Sequence, residues 1–533
     1  MRIKRYNFPL IVLILGVIFS LYLQWQIPEG VFFSGDAGLK ALLAQQFSSG
    51  QFRFDLAPPI QTWVRDLWQN GLYPFEEPFV YNLNNRYYIT FPYTFPLITA
   101  PFQALFGYRG LYFIPLISTW AIWLIFYFAC QRLNLSKIST SIGLVILIFA
   151  SPLTLYSAMY WEHTLAVALA FYGLSHLLIP DNSEGLSKKQ AVLSGVFIGL
   201  SVWFRPEFLA LVGIVALLVY SASLVHLNQL RFLAQNKEFL VISMVLMVGL
   251  FFLSNQLAYS HPLGIHAIQV VEKLSLFKRL SDGLTNFKGL GFALFEYLPI
   301  TYFLILYLGL CLFRRGVGLT PHLGIIYLIC LLFTIGVSLL VPVGTAGLIA
   351  GGKQWGARFL LILVPIISLM VVKELTLIRK TDKPILGYIS LFIFSMLLLI
   401  GLHKNTYDGV VYLQKNHQGI LPAIEFLKKQ ENTPIAISHQ FVAQALEPGL
   451  GERRLFFKAE DRDQLVKLGA ALVEQGQQKF TYICYPFSKC NIAEENSDNF
   501  KFNKGTETFK IELSELGKFG KYPIYEAEII NQS

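Results

Sequence analysis

Long apolar runs alternate with short polar segments along most of the chain, and their lengths predict membrane-spanning helices. The first run covers residues 8–25. An α-helix needs about 20 apolar residues to cross the hydrocarbon core of a bilayer. Runs of about that length follow at 111–130, 139–158, 164–180, 239–258, 291–312, 322–342, 358–376 and 384–402. With residues 191–222 counted as two shorter helices, the pattern predicts eleven spans.

The run at 191–222 is interrupted by Arg205, Pro206 and Glu207. At ~1.5 Å per residue, the part before the interruption reaches roughly 21 Å, which is short for a full crossing. We therefore expect two short helices that meet near the outer face, with the charges in a cavity. The alternative is one long kinked helix, which would reverse the side of every later loop. The basic residues of the later loops divide eight against seven between the two faces and do not decide the question.

A polar loop between the first two spans, residues 26–88, is dense in aromatic side chains. Aromatic residues in such a loop suit interfacial helices, so we expect the loop to be ordered. Inside it, residues 34–47 carry apolar side chains at helical spacing, which predicts an amphipathic helix lying flat on the membrane. The apolar stretch 89–106 holds three prolines and predicts a re-entrant or surface segment.

The composition turns polar after His403, and residues 404–533 predict a small α/β domain. Strand-like runs lie at 434–438, 453–458, 480–485 and 522–530, with helix-like runs at 420–429 and 461–474. Their alternation predicts a mostly parallel sheet, outside the cytoplasm under the two-helix topology. Cys484 and Cys490 are spaced so that a turn could bring them into disulfide reach. The predicted fold is an all-α polytopic membrane domain, residues 1–403, followed by this α/β domain.

Composition supports the membrane assignment and excludes a nucleic-acid partner. The chain has 533 residues, of which 54% are hydrophobic and 14% are charged, whereas soluble domains carry about 25% charged residues. The net charge of +10 comes from basic residues clustered in short segments between apolar runs, as in positive-inside loops. The first run follows a basic N-terminus without a cleavage site, so we expect a retained anchor.

Polar clusters at the ends of spans share the outer face under the two-helix topology. Ionisable residues at such positions are candidates for function. A carboxylate can take a proton from a hydroxyl nucleophile, and arginines can hold a phosphate leaving group. The candidate residues are Asp36; Glu162 and His163; Arg205 and Glu207; and Lys353, Trp355 and Arg358.

Each cluster also has a structural explanation. Ser34 or Asp36 would cap the helix that follows, and Glu162 with His163 would cap a span. Arg205 would form a structural ion pair with a glutamate. Trp355 would anchor the chain at the membrane interface.

Four segments in this order carry a family resemblance: Ser34–Leu42, Trp161–Leu169, Trp203–Phe208 and Gly351–Pro365. Together they resemble bacterial members of the GT-C superfamily, integral-membrane glycosyltransferases related to the protein mannosyltransferases and to the aminoarabinose transferase of lipid A. The resemblance covers roughly residues 1–402 and leaves the C-terminal domain outside.

The resemblance implies a polyprenyl-phosphate sugar donor, an extracytoplasmic active site and an inverting transfer in which Asp36 is the base. Protein mannosyltransferases usually show adjacent aspartate and glutamate in this loop, whereas Ala37 follows Asp36 here. This departure leaves other acids of the loop as alternative bases or helpers: Asp55, Asp66, Glu76 and Glu77.

The leading interpretation is a multi-pass glycosyltransferase of the bacterial cytoplasmic membrane. It would move a sugar from the lipid-linked donor to an envelope glycan, lipid or protein acceptor, with membrane lipid as its surroundings. No motif indicates a cofactor or a metal site. The alternatives are a transporter or flippase of lipid-linked sugars, and a catalytically silent relative that binds an envelope partner.

Overall fold

The computed structural model describes residues 7–179, 185–224, 231–265, 268, 276–313, 321–341, 354–378, 384–430, 432–451, 454–494 and 500–532. The fold is mostly helical and carries a sheet near the C-terminus. The helices are α1 (Phe8–Trp25), α2 (Gly35–Ser48), α3 (Thr62–Leu67), α4 (Thr94–Phe106), α5 (Phe113–Arg132), α6 (Lys137–Phe149), α7 (His163–Leu178), α8 (Lys188–Ser201), α9 (Leu209–Leu224), α10 (Arg231–Ala234), α11 (Lys237–Tyr259), α12 (Leu276–Tyr297), α13 (Thr301–Phe313), α14 (Pro321–Leu340), α15 (Leu363–Ile378), α16 (Pro384–Leu402), α17 (Gly409–Gln418), α18 (Leu421–Lys429), α19 (Gln440–Leu450), α20 (Arg462–Glu474) and α21 (Asn491–Glu494). The strands are β1 (Val80–Leu83), β2 (Arg86–Ile89), β3 (Ile435–Ile437), β4 (Phe456–Lys458), β5 (Lys479–Ile483), β6 (Lys501–Lys504), β7 (Glu507–Phe519) and β8 (Tyr522–Asn531).

Several of these helices are long and apolar enough to cross a membrane. Over the described residues there are six such helices, or up to eight if each of two bent pairs forms one span. The chain is therefore a multi-pass membrane protein, and its first predicted span coincides with α1. The predicted number of eleven spans is not confirmed by this count.

The interruption at Arg205 divides residues 188–224 into two helices, as predicted. Helix α8 ends at Ser201, a short 3-10 turn follows at Pro206–Phe208, and α9 begins at Leu209. Arg205 has extended backbone angles, φ −137° and ψ 98°. Proline disfavours the helical conformation in the residue before it and has no N–H to donate, so the sequence itself ends the helical path here.

Small residues let α8 pack closely on its neighbours. A Cβ atom added at Gly195 would lie 2.2 Å from the carbonyl oxygen of Leu240 in α11, and one at Gly173 in α7 would lie 2.7 Å from the carbonyl oxygen of Ser194. Glycines at helix contacts in membranes allow this approach of one backbone to another. The close packing fixes the end of α8, where Arg205 follows.

The chain divides into two compact units that do not follow its order. Unit 1 contains Met1–Gln26 and Tyr112–Val411, and unit 2 contains Ile27–Leu111 and Tyr412–Ser533. The long first loop thus packs with the C-terminal residues, whereas composition had grouped it with the membrane helices. The shared apolar core explains the grouping, because Val64, Leu67 and Leu72 of the loop belong to the same buried cluster as Phe457 and Phe480 of the sheet.

The sheet of unit 2 has six strands in the order β4-β3-β5-β8-β7-β6. Strand β3 pairs in parallel with β4 and with β5, and the other three pairs are antiparallel. The prediction of a mostly parallel sheet was therefore wrong. The error comes from β6 and β7, a hairpin with many exposed polar side chains that was not recognised as strands.

The disulfide suggested by spacing is present in unit 2. Cys484 and Cys490 are bonded, with their Cα atoms 5.8 Å apart. Cys484 follows β5, so the bond ties the loop after this strand back to the strand end.

Two expectations for the first loop were wrong. Helix α2 does not lie flat with one face in solvent, because nine of its residues are buried, on all sides of the helix. Its glycines allow this burial: a Cβ added at Gly38 would lie 2.0 Å from the carbonyl oxygen of Gln444 in α19. The stretch expected to be broken by prolines forms α4, which continues through Pro101.

Candidate functional site

Arg205 holds two buried carboxylates in unit 1. Its Nη1 donates to Oε1 of Glu162 at 2.9 Å, and its Nε donates to Oε1 of Glu207 at 2.5 Å. Glu162 immediately precedes α7, and Glu207 lies in the 3-10 turn before α9. All three side chains are buried. Buried charges are stable only with such partners, so each of the three depends on the others.

Aromatic rings surround this ion pair and bring a second arginine to it. The Cζ atoms of Arg205 and Arg358 lie 4.8 Å and 5.0 Å from the ring centroid of Phe359. Arg358 also lies 5.3 Å from the ring centroid of Trp161. Guanidinium groups at these distances are attracted by the negative ring face. The result is a cation–aromatic cluster, which we define as Glu162, Arg205, Glu207, Arg358, Phe359 and Trp161.

His163 lies against the cation–aromatic cluster as the first residue of α7. Its ring centroid is 5.2 Å from that of Trp161 and 5.7 Å from that of Tyr156. The side chain of Glu162, at the N-cap, makes no capping hydrogen bond. The structural explanation of Glu162 as a side-chain cap therefore does not hold, and its Oε1 is used by Arg205 instead.

Trp355 is buried in unit 1, and both its side chain and its backbone carbonyl group are hydrogen-bonded. Its Nε1 donates to Oδ1 of Asn405 at 3.0 Å, and its carbonyl oxygen accepts from the hydroxyl of Tyr156 at 2.9 Å. The Nζ of Lys404 lies 5.6 Å from its ring centroid. A buried indole held in this way is a packing element rather than an exposed membrane anchor. Lys353, the remaining candidate of this segment, lies outside the described residues.

Asp36 lies in unit 2, in the first turn of α2, and is partly exposed. The N-cap of this helix is Ser34, whose Oγ accepts from the backbone N–H of Ala37 at 3.3 Å. The cap is thus supplied by the serine. The N-terminal end of a helix favours a negative charge, and Asp36 is the acid of this first turn.

A lysine follows Asp36 one turn along α2. Lys40 is only 2% exposed, and its Nζ lies 4.5 Å from the ring centroid of Phe91. Lysine is rarely buried this deeply, because the charge loses its hydration. The motif that carries Asp36 therefore also places a buried lysine in unit 2.

The other acids of the first loop have different environments. Asp55 is buried, and both of its oxygens accept hydrogen bonds from Arg53; this pairing raises the pKa of Arg53 above its ordinary value. Glu76 pairs with Lys458. Asp66 and Glu77 are exposed. Asp55 and Glu76 are therefore each paired with a cation of unit 2.

The candidates from Glu162 to Arg358 come together in unit 1, with the exception of Lys353, which is not described. Sequence reasoning missed Phe359 and Tyr156 as parts of the arrangement. Phe359 stands next to Arg358 in the motif, and an aromatic residue beside a cation was the available signal. Chemically, a partly exposed arginine on aromatic rings suits a phosphate group attached to an apolar lipid.

Comparison with known proteins gives a likeness of structure only. No protein-family model matches the chain, and no curated protein matches its sequence. ArnT from Cupriavidus metallidurans, solved bound to undecaprenyl phosphate and in the apo state, is similar with a TM-score of 0.55 and 11% identity, covering 96% of this chain and 97% of that one. The oligosaccharyltransferase of Archaeoglobus fulgidus is similar with a TM-score of 0.47 and 12% identity, and the match covers 90% of this chain and 70% of that one. The likeness to ArnT shows a shared fold.

Proposed function

We propose that this protein is a glycosyltransferase that takes a sugar from a polyprenyl-phosphate donor and passes it to an envelope acceptor. The observation that carries the proposal is the fold shared with ArnT over 96% of the chain. That neighbour was solved with undecaprenyl phosphate bound, and a polyprenyl lipid suits a multi-pass membrane protein. The acceptor is a glycan, a lipid or a protein that presents a hydroxyl group.

The cation–aromatic cluster supports a role for unit 1 in holding the donor phosphate. Arg358 is partly exposed and contacts Trp161 and Phe359 through their ring faces. In the proposed reaction its guanidinium binds the phosphate and neutralises the charge that develops when the sugar leaves. Lys353 and Trp355 belong to the same motif and are proposed to form part of this donor site.

The ion pair supports a positioning role for Arg205. Its Nε and Nη1 already donate to Glu207 and Glu162, so few of its donors are left for a ligand. We assign Glu162 and Glu207 the role of holding Arg205 in place. His163 is proposed to contact the acceptor from its position beside Trp161.

Asp36 is proposed as the catalytic base. Its carboxylate takes the proton from the acceptor hydroxyl while the oxygen attacks the anomeric carbon of the donor sugar. The bond from that carbon to the phosphate oxygen breaks on the opposite face, and the phosphate keeps the electron pair. Attack from the opposite face inverts the configuration of the sugar.

The proposed site of action is the extracytoplasmic face of the bacterial cytoplasmic membrane. The disulfide between Cys484 and Cys490 supports this side for unit 2. An alkaline phosphatase fused after Lys404 should be active in cells. An inactive fusion with intact expression would place the C-terminal residues in the cytoplasm and contradict the proposal.

The function is tested by sugar release from undecaprenyl phosphate carrying radiolabelled sugars, with purified protein in lipid nanodiscs. We expect Asp36→Asn to lower the rate about 10²–10⁴-fold, the usual contribution of a general base. Asp463→Asn is the matched control, because Asp463 is an exposed acid of unit 2 that also lies in the first turn of a helix, α20. Equal rates for wild type and Asp36→Asn would reject Asp36 as the base.

A further inference from the structure

A group of aromatic side chains lies at the carboxyl ends of the parallel strands of unit 2. His439 follows β3, Tyr485 follows β5 and Phe441 is in the first turn of α19. The rings of His439 and Tyr485 stack with centroids 4.7 Å apart and an interplanar angle of 22°. Phe441 lies 5.6 Å from Tyr485 and 5.5 Å from Phe79.

The strand order determines the directions in which the loops at this position leave the sheet. From β3 the chain passes through α19 to β4 on one side, whereas the strand that follows β5 in the chain, β6, lies beyond β8 and β7 on the other side. The loops after β3 and β5 therefore diverge. In open α/β sheets, ligands bind in the crevice outside the carboxyl ends of the strands at such a point of divergence.

Covalent and hydrogen bonds fix the two loops. The backbone N–H of Tyr485 donates to Oγ of Ser438 at 2.8 Å, and the backbone N–H of Ser438 donates to the carbonyl oxygen of Ile483. The disulfide from Cys484 to Cys490 closes the loop that carries Tyr485 and Phe487. The aromatic surface is thus held in shape before any ligand arrives, which lowers the entropic cost of binding.

One ring of the group projects into solvent. Phe487 is 69% exposed, its ring centroid lies 5.6 Å from that of Tyr485, and the Nζ of Lys521 is 5.2 Å from its centroid. An exposed phenylalanine loses the free energy of burial unless something covers it. Its place beside the stacked rings indicates a ligand that packs on flat apolar faces.

Polar groups border the same rings. Lys458, at the end of β4, contacts Glu76 and lies 3.2 Å from Oε2 of Glu460. Oε1 of Glu460 is buried and accepts no hydrogen bond from the described residues. These three residues interact electrostatically with His439, and burial lowers the pKa of His439, so its ring is neutral at pH 7.

The charges select among ligands. Two carboxylates and, with Lys521, two ammonium groups border the rings beside a neutral histidine, so their charges balance and give no net attraction for phosphates or other anions. A neutral ligand rich in hydroxyls fits better, because its O–H groups can donate to carboxylate oxygens. Its apolar face must be flat enough to lie on an aromatic ring.

We propose that the crevice between the loops after β3 and β5 binds a saccharide, with a pyranose ring packed on Tyr485 and Phe487 and hydroxyls donated to Glu460. A pyranose presents a flat face of C–H groups and an edge of hydroxyls, which match the rings and the carboxylates. The inference does not rest on the proposed transfer reaction, since every residue of the crevice belongs to unit 2 and binding needs no donor lipid.

The test is saturation-transfer NMR on the full chain in lipid nanodiscs, with methyl β-glucopyranoside, methyl β-galactopyranoside and N-acetylglucosamine as probes. We expect saturation of the C–H protons of the ring face for at least one probe. Phe487→Ala and Tyr485→Ala should each weaken binding by about tenfold, whereas Tyr485→Phe, which keeps the ring, should bind like wild type.

Phe52→Ala is the control, because Phe52 is an exposed aromatic residue of unit 2 in a different stack, with Phe47. Failure of Cys484 and Cys490 to react with maleimide shows that the loop is intact in each variant. If Tyr485→Ala disturbs the loop, Phe487→Ala decides, since its ring is mostly in solvent. The proposal is overturned if none of the probes is saturated, or if the intact alanine variants bind as wild type does.

Discussion

A buried carboxylate site in unit 1 and one in unit 2 compensate their charge in different ways. In unit 1, Glu162 and Glu207 are both paired with Arg205, so the charges are kept and compensated. In unit 2, Oε2 of Glu447 is buried and has no hydrogen-bond partner within the described residues. Burial raises the pKa of Glu447 to about 8, so this carboxyl group is mostly protonated at neutral pH.

This difference indicates whether the charge at each buried site has a use of its own. A paired buried charge is seldom more stable than an apolar substitute, so its presence in unit 1 suggests a use for the charge itself. In the proposed function that use is to orient arginine beside a phosphate. Unit 2 avoids the cost at Glu447 by keeping a proton there. Its ion pairs Arg53–Asp55 and Lys458–Glu76 each have one partly exposed partner, with 41% of the Arg53 side chain and 41% of the Glu76 side chain accessible.

Removing the cation of the buried pair should have the largest effect. Arg205→Leu leaves two buried carboxylates without their arginine partner and should lower the free energy of unfolding by about 3–5 kcal/mol. The measurement is the unfolding curve of the protein in mixed micelles as the fraction of denaturing detergent is increased. Arg205→Lys keeps one charge and should lose less. Lys404→Met is the control, since Lys404 and Glu296 form a more exposed pair. If the Arg205→Leu protein is as stable as wild type, the ion pair does not contribute this free energy to folding.

Glu447 should make stability depend on pH in the opposite sense to a paired acid. Its folded pKa of about 8 is above the unfolded value, so the folded state holds a proton that the unfolded state has lost. Stability should therefore be highest below about pH 4.5 as far as this group contributes, and fall by up to about 1.4 kcal/mol per unit until about pH 8. Glu447→Gln should remove this part of the slope and be more stable than wild type at pH 8. An unchanged pH profile in Glu447→Gln, by thermal unfolding between pH 5 and pH 9, would rule out a buried neutral carboxyl group.

The partly exposed pair should matter least. Lys458→Met breaks the contacts with Glu76 and Glu460 and should change the stability of unit 2 by less than about 1 kcal/mol, because water screens such pairs. Thermal unfolding of the variant is the measurement. A loss as large as that of Arg205→Leu would mean that the two units do not differ in the way described.

The sequence predicted features that depend on local chemistry. Pro206 ends a helical path by its own geometry, and the first apolar run could only be a long helix. The short spacing of Cys484 and Cys490 made their bond plausible without knowledge of the fold. The charged residues of the cation–aromatic cluster were also found, because cations and acids stand at the ends of apolar runs, whereas Phe359 was missed.

Features that depend on distant packing were not predictable. The burial of α2 requires α19, about four hundred residues later, whose Gln444 carbonyl faces Gly38. Periodicity describes one helix and carries no information on such a partner. The β7 strand was missed because its exposed polar residues hide the alternation. Similarly, nothing local shows that Arg205 binds Glu162, 43 positions earlier.

The central claim is that Arg358 and its aromatic neighbours bind a lipid phosphate. Native mass spectrometry of the purified protein with undecaprenyl phosphate measures this directly, with undecaprenol as the lipid that lacks the phosphate. Wild type should bind the phosphate and not the alcohol, and Arg358→Gln should bind at least about tenfold more weakly, the loss of one charge-assisted contact. Arg65→Gln, at an exposed arginine of α3, should bind like wild type. Equal binding by wild type and Arg358→Gln, or no preference for the phosphate, would contradict the account.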